Sequence, residues 1–218
     1  MNSKLLRVIL PLALFVLVTG CQKNSVEDEG GNEEIKGLVK DFDYSTVWEW
    51  NELFVRIDKD AMGFRPTPGP RAMAYMGLSA YETAIPGMTE YNSLKNQWGS
   101  ELKIPDFVVG QEIHWPTAVN SSYAYLMKKF FFKANFVEGI GHLTNSDAQK
   151  LIETLEIALD AKYKSEINDL IVFNDSKAWG EKVASSVWSW ATTDPYGHDA
   201  NLNILNNDPS KGEQFYYD

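Results

Sequence analysis

A chain of 218 residues, 44% of them hydrophobic, is long enough to bury one sizeable core. Its formal net charge of -10 repels phosphate backbones and anionic headgroups, which excludes nucleic acid as a partner and electrostatic attraction as a route to a membrane. A single cysteine excludes an internal disulfide framework.

Residues 1–20 read as a targeting segment. Lys4 and Arg7 make a basic start, and Val8 to Val18 is an apolar run too short to span a bilayer as a helix. The run ends in Val18-Thr19-Gly20-Cys21, which resembles a bacterial lipobox. The expectation is cleavage before Cys21 and lipid attachment to it, with the protein held at the cell envelope, on a bacterial membrane and in the first instance the outer one, by that lipid. Residues 21–40 then read as an acidic, disordered tether. Glu27, Asp28, Glu29, Glu33 and Glu34 surround Gly30-Gly31-Asn32, with almost nothing apolar to offset the entropy of ordering.

From Asp41 the periodicity is helical, and residues 41–203 read as one all-α bundle of about five main helices. Val47, Trp50, Phe54, Ile57 and Ala61 share one face, and Thr46 with Glu49 fits a capping box at the start. Gly63 and Pro66, Pro68 and Pro70 end this helix. The second runs from about Pro70 to Ile85 and stops at Pro86-Gly87. Met73, Met76, Gly77, Ala80 and Ala84 make one apolar seam, and Ala74, Leu78, Tyr81 and Ile85 another. Two seams predict a central, surrounded helix. Tyr91 to Gly110 has no sustained period. The third helix starts near Pro116 and carries Val119, Tyr123, Leu126, Met127, Phe130 and Phe131. After the Gly139-Ile140-Gly141-His142 loop, the fourth is capped by Thr144 or Ser146, with a stripe of Ala148, Leu151, Ile152, Leu155, Leu159 and Tyr163. The fifth begins near Asp175, carries Trp179, Val183, Val187 and Trp190, and ends before Asp194-Pro195. Residues 204–218 read as a coil tail.

Candidate chemistry is sparse. His114, His142 and His198 are the three histidines, and none is spaced with another His, Cys or acid as a metal pair on a helix requires. No nucleophile elbow, phosphate-cradling glycine loop or dinucleotide fingerprint is present. Arg71, at the start of an apolar helix, is expected to form a structural ion pair with Glu49 or Glu82. Trp50, Trp179 and Trp190 fall on apolar stripes and are expected in the core. Trp48, Trp98 and Trp115 lie off them and are the candidates for a ligand surface.

Four segments carry a family resemblance. They are Trp50-Asn51-Glu52; Pro70-Arg71-Ala72-Met73-Ala74 with Tyr81-Glu82-Thr83-Ala84; His114-Trp115-Pro116-Thr117-Ala118-Val119-Asn120 with Ala124-Tyr125; and Ser176 to Ala184 running into Trp188-Ser189-Trp190-Ala191-Thr192-Thr193-Asp194. In this order they resemble the N-terminal helical half of vanadium-dependent haloperoxidase-like proteins of the type 2 phosphatidic acid phosphatase superfamily, above all its lipoprotein branch. The resemblance implies an oxyanion chemistry in which a Lys and two Arg neutralise vanadate or phosphate, a Ser-Gly pair donates hydrogen bonds, one His acts as acid or base and another binds the metal or attacks phosphorus. Its pattern is a Lys before Arg-Pro, then Pro-Ser-Gly-His, then Ser-Arg followed by His. Lys59 with Arg65-Pro66 matches the first element superficially, one residue short in spacing, and Ser-Gly-His is absent. No catalytic residue and no cofactor site is therefore carried over; vanadate is implied only for a full-length relative. Three roles stand. The chain is a truncated member inactive alone, or one half of an enzyme completed by a separate C-terminal half-protein, or a helical envelope lipoprotein acting as a binding or scaffold module. The first is preferred, because half a bundle exposes faces that the other half covers.

Overall fold

The computed structural model describes residues 37–62, 64, 68–98, 101–132, 134, 136, 141–194 and 197–198, all within one compact unit. The signal segment, Cys21, most of the acidic tether and the coil tail lie outside the described residues. Five α-helices follow in chain order: α1 Ser45–Asp58, α2 Pro68–Ala84, α3 Trp115–Phe131, α4 Asn145–Glu166 and α5 Leu170–Ala191. Short 3-10 turns sit at Val39–Asp41 and Ile85–Gly87. The described architecture is an all-α bundle.

The central element is α3. It is buried on every side from Thr117 to Ala124, and again at Leu126, Met127, Phe130 and Phe131. It packs most extensively on α5, then on α2 and α4, and less on α1. The expectation that α2 would be the surrounded helix is corrected. Ala72, Met76, Ser79, Ala80 and Thr83 are buried on α2, whereas Met73, Ala74 and Gly77 are exposed. Of its two apolar seams, the first is buried through Met76, Ala80 and Ala84, whereas no residue of the second, Ala74, Leu78, Tyr81 and Ile85, is fully buried.

Small residues set the closest approach. Gly180 on α5 lies against the backbone of α3, and a Cβ there would fall 2.0 Å from the carbonyl oxygen of Ala118. Buried polar side chains on α3 tie the bundle together. Asn120 Oδ1 accepts from Trp50 Nε1 at 2.9 Å, and its Nδ2 donates to Asp160 Oδ1 at 2.9 Å, joining α1, α3 and α4. Lys177 on α5 pairs with the other oxygen of Asp160, and Lys128 pairs with Glu156. Ser79 and Ser122 bond at 2.7 Å across α2 and α3.

The caps differ from expectation at two helices. At α1 the residue before the helix is Tyr44, with no side-chain cap. Thr46 turns inward, is buried, and hydrogen-bonds Tyr163 on α4, while Asp43 Oδ1 accepts from Ser45 N. A buried partner across the bundle has taken the hydroxyl that the capping box required. At α4 the box is formed, with Thr144 and Asp147 as its members. α5 begins at Leu170 rather than near Asp175, because Asp169 caps it by accepting from Ile171 N at 2.7 Å. Leu170 and Ile171 are exposed, so the apolar stripe does not report the first turn.

The expected tether also ends earlier than residue 40. Trp115 Nε1 donates to Gly37 O at 3.1 Å, and Val39 packs against the core. A buried indole with one N–H needs an acceptor, and Gly37 supplies it with φ at +75°.

Candidate functional site

Helix α2 runs between two open clefts. On its α5 flank, positions 71, 74, 75, 78 and 81 recur at helical spacing and put Arg71, Tyr75, Leu78 and Tyr81 on one wall. Leu94 and Trp98 close the side, and Trp190 with Asp194 at the end of α5 closes the top, around a space of about 570 Å³. Trp190 meets Tyr75 edge-on at 5.5 Å and Trp98 at 5.6 Å. The Arg71 guanidinium lies 4.8 Å over the Tyr75 ring.

The segment bearing Leu94 and Trp98 has no regular structure of its own and is pinned to α2. Glu82, fully buried, accepts from Ser93 Oγ at 2.7 Å and from Leu94 N at 2.6 Å. Tyr81 Oη donates to Asn92 O at 2.8 Å. The ion pair expected of Arg71 with Glu49 or Glu82 is therefore corrected. Glu82 holds this loop, and Glu49 lies half-buried in a groove between α1 and α4. Arg71 pairs instead with Asp194, Nε to Oδ2 at 3.3 Å, and donates from Nη2 to Ala191 O at 2.7 Å. Its Nη1 is buried without a hydrogen-bond partner among the described residues.

On the other flank of α2 a second groove of about 580 Å³ opens towards α1 and α3, lined by Val47, Met73, Gly77, Ala84, Val119 and Tyr123 among others. Burial pushes the Tyr123 hydroxyl up to about 12, so it stays a neutral donor, to Asn51 Oδ1. The outer stripe of α2, from Met73 through Gly77 to Tyr81, is thus an apolar ridge between two clefts.

His114 stands apart from both. It is largely buried at the start of α3, with Nδ1 2.8 Å from Thr117 Oγ1 and its ring against Phe42 and Tyr163. Burial, with help from the charge of Lys162, pushes its pKa down to about 4. The ring is neutral at pH 7 and acts as a packed, hydrogen-bonding group. His142 is exposed in a loop, where its backbone N–H donates to Asp60. His198 is half-buried, with its ring edge-on to Trp188. The three are dispersed, and among the described residues no group of three or more His, Cys, Asp or Glu is placed to hold a metal ion.

Of the tryptophans expected to be free of the core, Trp48 is 58% and Trp98 50% exposed, but Trp115 is buried. Trp115 packs with Trp179 and Ile113 in a small second core, so it is removed from the candidates for a ligand surface. Trp190 is half-buried and walls the cleft. The pairing of Arg71 with Asp194 spans 123 positions and no local pattern signals it. Ala74, Leu78 and Tyr81 of the second seam of α2 line this cleft, on a side where a packed helix face was expected. Among the described residues, no helix is long and apolar enough to cross a membrane. No family model, curated protein or solved structure matches the chain.

Proposed function

We propose that this chain is the scaffold half of a haloperoxidase-like helical protein, anchored at the cell envelope through lipid on Cys21 and inactive on its own. The oxyanion chemistry of that family, with vanadate or phosphate as its group, would belong to a partner half that packs on the outer stripe of α2. One observation carries this reading. Met73, Ala74 and Gly77 form an exposed apolar ridge with an open cleft on each side, where the sequence has the two-seamed pattern of a buried helix. A contiguous apolar surface of this kind marks an interaction face, and small residues suit close approach of another helix.

The test is an assay of the purified chain for vanadate-dependent bromide oxidation and for phosphate monoester hydrolysis. Neither activity is expected. Robust turnover by the pure chain, sensitive to substitution of its own residues, would refute the scaffold reading. The cleft on the α5 flank favours a second role, in binding.

A further inference from the structure

A long groove of about 920 Å³ opens between α1 and α4, and none of its lining belongs to α2. Its apolar residues are Trp48, Leu53 and Val55 from α1, and Leu151, Leu155 and Ala158 from α4. Trp48 and Val55 are exposed, as is Ile157 next to Ala158. Apolar side chains gathered along one concave strip mark an interaction face. The charges along the strip say what fits it. Glu49, Glu52, Arg56 and Lys59 follow one another at three- and four-residue spacing, so they share the α1 side of the groove. The acids stand towards the start of the helix and the bases towards its end. Glu52 and Arg56 are one turn apart, yet none of the four forms an ion pair among the described residues. Glu49 and Lys59 are separated by about 15 Å of helix, beyond a Debye length of about 8 Å, so the two ends act as separate patches of opposite sign. The order is also symmetric. Glu49 and Lys59 stand five positions on either side of Phe54, and Glu52 and Arg56 two on either side. A partner of one sign would match only one end. A helix running the opposite way with the same order of charges matches both, and this chain carries such a helix.

We propose that the α1–α4 groove is a self-association face, on which a second copy of this chain docks with its α1 antiparallel about a two-fold axis at the level of Phe54. The interface is isologous, the same patch on both copies. Glu49 of each copy meets Lys59 of the other, and Glu52 meets Arg56. Each Trp48 comes to the level of the other copy's Lys59 and lies along the apolar stem of that side chain. Covering Trp48 and Val55 supplies the attraction, and the charges set register and choice of partner. The face is separate from the ridge of α2 and does not rest on the scaffold reading, so either can fail without the other.

The experiment is sedimentation equilibrium of the purified full chain and of charge-swapped variants at the exposed positions 52 and 56. The wild type is expected to show a reversible monomer–dimer equilibrium below about 100 µM. Glu52→Arg alone and Arg56→Glu alone each set like charges opposite one another, and each should weaken the dimer about tenfold or more. An equimolar mixture of the two variants should associate as a heterodimer, and the double variant Glu52→Arg/Arg56→Glu should dimerise like the wild type. A wild type that stays monomeric at about 100 µM overturns the proposal. Loss of the dimer in both single variants, with rescue in neither the mixture nor the double variant, overturns the antiparallel register. Association that neither swap changes overturns the face, and its loss in Gly77→Arg would move the contact to the ridge of α2. Trp48→Ala guards against a fault in the charged variants. It should weaken the dimer with the melting temperature of the monomer retained, and an unchanged dimer in that folded variant overturns the groove as the interface.

Discussion

Replacing Gly180 by alanine should weaken the bundle, although alanine is the better helix former. An added Cβ would lie 2.0 Å from Ala118 O, 2.8 Å from its carbonyl carbon and 3.2 Å from its Cα. Carbon contacts are most favourable near ~3.5 Å or beyond, so α3 and α5 must part by on the order of an ångström. The obstructing atoms are backbone and cannot rotate away. The cost of such overpacking is about 1–3 kcal/mol, and the severity here puts it at the upper end. The intrinsic helix gain of alanine over glycine offsets about 1 kcal/mol. A net loss of about 2 kcal/mol follows, which for a domain of this size lowers Tm by roughly 4–8 °C. Gly77 is the internal control. It is also within a helix, but a Cβ there meets nothing within 4 Å. Gly77→Ala should therefore gain up to about 1 kcal/mol. Thermal melts followed by far-UV circular dichroism compare the two. A Gly180→Ala protein as stable as the wild type would refute the close approach of α3 and α5.

Further outcomes follow from the buried polar groups. Glu82→Ala removes both acceptors that hold Ser93 and Leu94 and leaves a buried void, costing about 3 kcal/mol; limited proteolysis should then cut within residues 91–98, and Glu82→Gln should cut more slowly. His114 is neutral in the fold with a pKa lowered from 6.5 to about 4 by burial. Its contribution is complete above about pH 6.5 and is lost as pH falls towards about 4, by up to ~3 kcal/mol. In denaturant titrations at pH 7 and pH 4.5, His114→Gln should flatten that acid loss; an unchanged pH dependence would contradict the assignment. Tyr163→Phe removes the bond to buried Thr46 and should cost about 1 kcal/mol, read as a shift in denaturant midpoint.

Much of the fold was legible because burial follows period. The stripe on α4 contains all of that helix's buried residues, whereas on α3 the stripe from Val119 to Phe131 leaves out the buried small and polar residues Thr117, Ala118, Asn120, Ser121, Ser122 and Ala124, because a helix surrounded by neighbours buries every face. Two kinds of information were not local. The first is which apolar seam finds a partner: α2 carries two, and only its spatial neighbours decide that the one with Met76, Ala80 and Ala84 is covered. The second is long-range pairing. Thr46 had the right neighbour for a capping box, yet Tyr163 on α4 takes its hydroxyl. Arg71 was expected to pair with Glu49 or Glu82, yet Asp194 meets it from 123 positions away. Glu82 looked like an ion-pair partner and is an anchor for an irregular loop, a role that the sequence of the loop does not announce. Trp115 stood outside any stripe because its burial comes from Trp179 and from the Gly37 carbonyl, both remote in sequence.

The exposed ridge of α2 as a docking face for a catalytic half is tested most directly by cross-linking from its middle. A photo-reactive amino acid in place of Gly77, in cells that naturally make the protein, reports what touches this surface. The account predicts one specific adduct, to a polypeptide bearing Arg-Pro and Pro-Ser-Gly-His. A chain that stays unlinked, or an adduct only to polypeptides without that pattern, would contradict it.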